Sequence, residues 1–200
     1  MSRAIDQRQT DRRQEILDAA QRCFARSGFH RTSMQEICSE AQMSPGGLYR
    51  YFASKEAIIS GIAERDRADV AEQFQEIRNS PDFFKGLEAA ARHYFVDRPL
   101  DEVLLCAEIM SESRRNSEVA RIHGSIEAEV KKGLIDVLRQ AADRGTIKRE
   151  LDLEVVASVL MALADGFAWR RAADKSFDAE AAIPLVLKMI RTMLVEKESL

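Results

Sequence analysis

The densest chemistry in the chain lies in nine consecutive residues, Leu48-Tyr49-Arg50-Tyr51-Phe52-Ala53-Ser54-Lys55-Glu56. Leu48 and Phe52 stand four apart, so in a helix they share a face and can bury together, leaving Tyr49, Arg50 and Tyr51 on the other faces. A guanidinium and two phenol hydroxyls displayed in this way suit a polyanion with readable edges. Arginine pairs with guanine in a major groove, whereas tyrosine hydroxyls and lysine ammoniums meet phosphates without reading sequence. Gln35, just upstream, has the amide that bonds adenine edges. Catalysis finds no comparable string. His30, His93 and His123 are isolated, and there is no nucleophile-elbow, P-loop or H-E-x-x-H pattern and no metal-ligand spacing. No catalytic residue, metal or cofactor is expected, and a helical enzyme is the least favoured reading.

The elements that position these residues read as helices throughout, because apolar residues recur at three-and-four spacing and no stretch alternates as a half-buried strand would. Ile16, Ala20, Cys23, Phe24 and Ser27 mark one face of a first helix over about residues 11–27, which Gly28 stops. Ser33-Met34-Gln35-Glu36 reads as a capping box opening a short second helix to about Ala41. After a tight turn, Ser44 caps and Pro45 opens a third helix over about residues 45–52. Ser54 then caps a fourth, running to about Arg78, with Ile58, Ile62, Ala63, Val70, Phe74 and Ile77 on one side. Ser80-Pro81-Asp82 opens the fifth helix, Pro99 separates it from the sixth, and the seventh runs from about Ser117 to Arg144 before Gly145. Asp152 caps the eighth; the ninth follows Asp178, with Pro184 either kinking or restarting it. Two short helices joined by a tight turn and buttressed by a third form the helix-turn-helix plan, whose second short helix lies in the major groove.

Here the sequence resembles the tetracycline-repressor (TetR) family of bacterial transcriptional regulators, whose recognition helix ends in a Leu-Tyr-x-His/Tyr-Phe-x-(Ser/Asn)-Lys-Glu string. The match covers about residues 10–60, including the helices around Ile16–Phe24 and Thr32–Ala41. The resemblance implies an all-α protein of about nine helices, with a three-helix DNA-binding domain over residues 1–55 and a larger ligand-binding and dimerisation domain over residues 56–200. It assigns Tyr49, Tyr51 and Lys55 to phosphates and places Gln35, Pro45, Gly46, Gly47 and Arg50 against the groove, with the caps Ser33 and Ser44 beside them. Gly46 and Gly47 each cost about 1 kcal/mol of helix propensity relative to alanine, which is explained if they let the backbone approach DNA closely, or if the helix start is simply loosely wound. Arg3, Arg8, Arg12 and Arg13 form either an arm tracking the phosphates or a solvated helix end. Gln42 departs from the family, where a glycine is usual and a positive φ is expected; a non-glycine residue there costs about 1 kcal/mol.

Charge is distributed to match. The net charge is −3, yet residues 1–55 hold nine Arg and Lys against six Asp and Glu, while the remainder holds 21 against 27. A basic head on an acidic body suits nucleic-acid binding better than the average implies. At 200 residues and 46% hydrophobic content, the chain can bury a core without staples. Cys23, Cys38 and Cys106 are widely spaced, so neither a disulfide framework nor a zinc site is expected. The charged Met1–Arg8 segment has no apolar h-region, and no apolar run reaches the ~18 residues of a membrane span. The expected compartment is the cytoplasm, at the nucleoid when bound to DNA.

The body reads less clearly. Val155, Val156, Val159, Leu160, Met161, Leu163 and Phe167 make the eighth helix apolar around most of its girth, and the ninth is similar from Ile183 to Leu194. A helix apolar on two sides needs partners on two sides, and a symmetry copy supplies the second, giving a homodimer through helices eight and nine. Asp165-Gly166 is read as structural. Phe74, Tyr94, Phe95, Cys106, Met110 and Trp169, with Ile109 and Ile122, are candidates for an adaptable apolar pocket holding a small-molecule effector, although core packing explains each singly. Arg92, His93, Glu108 and Glu112 would edge it, solvated surface being the preferred reading of the two glutamates. The expected function is a DNA-binding transcriptional regulator, a repressor that grips a palindromic duplex operator as a homodimer and is released by its effector. A thiol-based redox sensor acting through the cysteines is the alternative.

Overall fold

The computed structural model of the protein describes residues 2–195, and among them it contains nine α-helices, one π turn and no strand. The helices are α1 (Ser2–Ser27), α2 (Met34–Glu40), α3 (Pro45–Tyr49), α4 (Lys55–Asn79), α5 (Phe83–Arg92), α6 (Leu100–Ser113), α7 (Ser117–Asp143), α8 (Leu153–Ala173) and α9 (Ala179–Val195). They form two compact units. One comprises Met1–Asp66 with Asp101–Ser125, the other Arg67–Leu100 with Ile126–Leu200, so α4 and α7 each contribute to both.

Local chemistry sets most boundaries. The Ser33 hydroxyl accepts from Glu36 N while the Glu36 carboxylate accepts from Ser33 N, completing the capping box; those bonds hold the Glu36 carboxyl below the usual carboxylate range. Ser44 accepts from Gly47 N at 3.2 Å, and Pro45 opens α3. Asp82 and Asp152 cap α5 and α8 in the same manner. Gly28 at φ +77° turns the chain out of α1, a region open to glycine without strain. Gln42 takes φ +52°, the positive angle expected of that turn despite its side chain.

Two boundaries differ from the sequence reading, and the alternatives left open at Pro184 are resolved. α1 begins at Ser2, some two turns earlier, since no proline or glycine interrupts the helix formers before Gln9. α3 stops at Tyr49 because Phe52 turns back into the core, 4% exposed. α9 runs through Pro184 without restarting. Between α5 and Pro99 the chain makes a π turn, His93–Asp97, closed by Arg98 N donating to His93 O at 3.0 Å. Arg98 is extended, as the residue before proline must be, and the helical run ends there.

In the first unit, Ile16, Leu17, Ala20 and Phe24 of α1, Ile37 of α2, Leu48 of α3 and Ile58, Ile59 and Ile62 of α4 are all buried. A Cβ at Gly61 would come within 2.9 Å of the Phe52 ring and 3.0 Å of Leu17, so its absence lets α4 approach α1. Thr32, 1% exposed, sets its hydroxyl against the carbonyls of Gly28 and Cys23 and fixes the loop after α1. In the second unit, Ile135, Leu138 and Ala142 of α7, Val156 and Leu160 of α8, and Ile190 and Leu194 of α9 form one apolar cluster. In the same unit Tyr94, Phe95, Phe167 and Phe177 follow one another in a row of edge-on and tilted ring contacts at centroid spacings of 5.3, 4.7 and 5.4 Å.

Not all of the apolar surface is covered. Val155, Val159 and Trp169 of α8 are 57%, 41% and 63% exposed, and with Ala162 they recur along one face. On α9, Leu185 and Met189 stand four apart at 64% and 55%.

Candidate nucleic-acid interface

The Gln42 turn joins α2 to α3, and the buried anchors Ile37, Cys38 and Leu48 hold the pair against α1 and α4 in one unit. Outward from them point Gln35, in the first turn of α2, and Tyr49 and Arg50 at the end of α3, all exposed. Tyr51 is half-buried, with the Arg50 guanidinium 5.3 Å from its ring centroid. A cation seated on an aromatic face keeps its five donors available at the edge while its wagging is reduced. Ser33, Ser44, Pro45 and Gly46 lie exposed along the same helix starts.

Gly46 and Gly47 differ. A Cβ at Gly47 would stand 3.2 Å from Ser44 Oγ and 3.3 Å from Met43, whereas nothing lies within 4 Å of one at Gly46. Gly46→Ala should therefore stabilise the isolated protein by up to about 1 kcal/mol through helix propensity. If the bare backbone at that position must approach DNA, the same change weakens DNA binding while raising the melting temperature. Unchanged or tighter binding would leave Gly46 as a loose helix start only.

Lys55 is placed differently from Tyr49 and Arg50. Its ammonium donates to Phe29 O at 2.6 Å and approaches His30 O at 3.4 Å, and it sits 4.4 Å above the Phe29 ring. The arginines preceding the core of α1 are also engaged. Arg12 pairs with Glu15 and reaches Gln42 O at 3.4 Å; Arg13 pairs with Glu64 at 2.9 Å and lies over Phe52. The side chains of Arg3 and Arg8 lie outside the described residues.

Two glutamates read from sequence as solvated surface are not so. Glu112 is 8% exposed, and Glu108 Oε2 accepts the Phe29 N–H at 3.2 Å, its carboxylate 3.0 Å from where a Cβ of Gly28 would be. Helical spacing along α6 cannot show a partner 79 residues upstream; the unusual polarity of Glu108 amid apolar neighbours was the sole signal. Of the pocket candidates, Cys106 and Met110 belong to the first unit and Phe74, Tyr94, Phe95 and Trp169 to the second. Phe74 of α4 packs against α7, where a Cβ at Gly133 would come within 2.4 Å of its ring. Tyr94 and Phe95 stand in the aromatic row, and Trp169 faces water. Burial pushes the Cys23 and Cys38 thiols above their ordinary value, against thiolate chemistry there. Among the described residues no helix is long and apolar enough to cross a membrane.

A two-helix reading element held against α1 and α4, joined to a larger helical body, defines a helix-turn-helix DNA-binding regulator. Residues 16–62 match the family described as bacterial regulatory proteins, tetR family, and residues 85–195 match the BetI-type transcriptional repressor C-terminal family. The chain is 29% identical over 165 residues to the HTH-type transcriptional regulator UidR of Escherichia coli (strain K12), covering 77% of this chain and 78% of that protein. The solved structure of Salmonella enterica GusR superposes with a TM-score of 0.81 at 30% identity, over 92% of this chain and 95% of that one. Bacillus subtilis FadR in complex with stearoyl-CoA shares the fold, with a TM-score of 0.78 at 21% identity over 90% and 97% of the two chains. The chain belongs to the TetR family of transcriptional regulators and is not an enzyme.

Proposed function

We infer that this regulator is a repressor that binds a palindromic operator as a homodimer through residues 1–55 and is released when a small molecule binds within residues 56–200. The observation that carries the DNA half is the outward display of Gln35, Tyr49 and Arg50 from two helices whose apolar sides are buried. Gln35 and Arg50 have the donors and acceptors to read adenine and guanine, Tyr49 and Tyr51 have hydroxyls for phosphates, and the caps Ser33 and Ser44 with Pro45, Gly46 and Gly47 bring backbone to the groove. The exposed rows on α8 and α9 support a two-fold partner. A repressor follows from the description of the matched C-terminal family.

Release requires that effector and operator disfavour each other by the same factor, since the coupling is reciprocal. α4 starts just after the reading helix and, like α7, contributes to both units, so it is one continuous element along which a shift can pass. The aromatic row of Tyr94, Phe95, Phe167 and Phe177 supports an apolar or aromatic effector in place of a strongly charged one.

Selection of bound duplexes from a random DNA pool tests the reading directly. The expected outcome is an inverted repeat whose half-site centres lie about 34 Å apart or a multiple of that, one DNA turn per step. Enrichment of a single half-site, or none, would overturn it. Selection that succeeds only after oxidation would favour the thiol-sensing alternative, with Cys106 as its half-buried cysteine.

A further inference from the structure

We propose that Glu108 of α6 and Lys55 of α4 are positioning residues for operator binding, gripping Phe29 from its two backbone ends and so setting how α3 is presented. This rests on the DNA-binding reading above. Within the first unit, Glu108 Oε2 accepts the Phe29 N–H at 3.2 Å, and Lys55 Nζ donates to the Phe29 carbonyl at 2.6 Å. The Phe29 side chain is itself 3% exposed, its ring 5.4 Å from Phe24 and under the Lys55 ammonium. One residue is thus held at its donor, at its acceptor and at its ring.

The arrangement is built rather than incidental. Gly28, at φ +77°, leaves free the space its Cβ would occupy, and the Glu108 carboxylate lies 3.0 Å from that point. A second strap joins the same elements: Asn116, between α6 and α7, donates to Glu56 Oε1 at 3.0 Å, one residue beyond Lys55. Opposite charges at the two ends of Phe29 strengthen both hydrogen bonds, because each has one ionised partner. Lys55 opens α4 three residues after Phe52, the anchor that ends the reading segment, so fixing its ammonium on the α1–α2 loop fixes the turn from α3 into α4. An ammonium with two carbonyls and a ring around it is a strut between two loops, and the phosphate role expected of Lys55 passes to the tyrosines.

The two roles separate by salt. A phosphate contact releases counterions and its loss lowers the slope of log K against log salt by about one unit, whereas loss of a strut lowers affinity at constant slope. Lys55→Met and Glu108→Ala should each weaken binding to the selected operator by about tenfold, the scale of one charge-assisted hydrogen bond, with the slope unchanged. Glu108→Gln keeps a carbonyl oxygen for the Phe29 N–H and should recover most of the loss. The double variant should bind about as the weaker single one, because either loss releases the same residue. A measurement without DNA accompanies these: hydrogen exchange at the Phe29 amide should quicken in Glu108→Ala and stay slow in Glu108→Gln, while amides in the middle of α1 remain protected. If Glu108→Ala fails to fold, Lys55→Met and Glu108→Gln carry the same comparison. A slope lowered by one unit in Lys55→Met, additive losses in the double variant, or fast Phe29 exchange in the wild type would each overturn the proposal. Failure to bind any DNA with Phe29 still protected would instead count against the DNA-binding reading.

Discussion

Met189→Glu should convert the protein to a monomer at micromolar concentration and bring its operator affinity down to the level of nonspecific DNA, a loss of about 10³-fold or more. The residue is 55% exposed and stands one turn from Leu185, 64% exposed, on a helix whose opposite face, Ile183, Ile190 and Leu194, is buried. A carboxylate there meets water in a lone chain and costs that chain little. Across a two-fold interface the same substitution occurs twice, and each copy would bury an unpaired charge, which is among the largest single-residue penalties. Leu187, within the apolar run from Ile183 to Leu194, is half-buried within its own chain. Leu187→Glu would therefore mix damage to α9 with damage to the interface, and Leu185 or Met189 gives the cleaner test. Sedimentation gives the mass, and helical circular dichroism should be unchanged. Trp169 adds an optical reading: it shares the exposed row of Val155 and Val159 beside a shallow groove of about 340 Å³ lined by Lys131, Glu154, Val155, Ser158, Val159 and Ala162. Its emission should shift to the red in the monomer. A monomeric wild type, or a Met189→Glu dimer that still binds operator, would remove α8 and α9 as the interface.

That surface shows how far local pattern reaches. The apolar girth of α8 and α9 was legible because helical periodicity counts faces, and two apolar faces imply two partners. Which residues face out was not: Val155 and Val156 are neighbours in sequence, one 57% exposed and the other 6%. Only the packing of α8 on α7 and α9 decides between them. The head was more legible for a related reason. Its capping box, its Ser-Pro helix start and its Leu48–Phe52 pair act over four residues or fewer, within the range where composition dictates geometry. Gln42 adopts the positive φ expected of its place, although its side chain opposes that angle, so the turn is imposed by the helices on either side. Glu108 was misread because its partner, the Phe29 amide in the loop after α1, lies 79 residues upstream, a separation at which spacing carries no information. The contacts of Lys55 were hidden for a different reason: the family string points it to phosphates, and the partners it has in the structure, Phe29 and His30, lie 26 and 25 residues upstream.

Arg50→Ala should cost about 1–3 kcal/mol of operator affinity per half-site and little on random DNA, which makes it the largest loss expected from one side chain that reads a base. The expectation follows from where the side chain sits. Arg50 caps α3, beyond Leu48, the buried anchor of that helix, and its guanidinium lies against the Tyr51 ring, so it reaches outward from a helix end and, among the described residues, is not spent on an ion pair. Arg22 and Arg26 provide the contrast: both bond the carboxylate of Glu40, hold its carboxyl below the usual range, and serve the fold. A bidentate pair with guanine O6 and N7 needs both arms of the guanidinium fork, so Arg50→Lys should recover nonspecific binding and only part of the specific loss. In a palindrome the substitution acts on both half-sites, so the two losses add if they are independent. Repeating the duplex selection with Arg50→Ala should relax preference at one base pair per half-site and leave the others sharp. Tyr49→Phe supplies the reference for a phosphate contact, since deleting its hydroxyl should weaken operator and random DNA by the same factor. Should Arg50→Ala behave like Tyr49→Phe, with equal losses on both DNAs and every base preference intact, Arg50 belongs on the backbone and sequence reading falls to Gln35 and the α3 backbone.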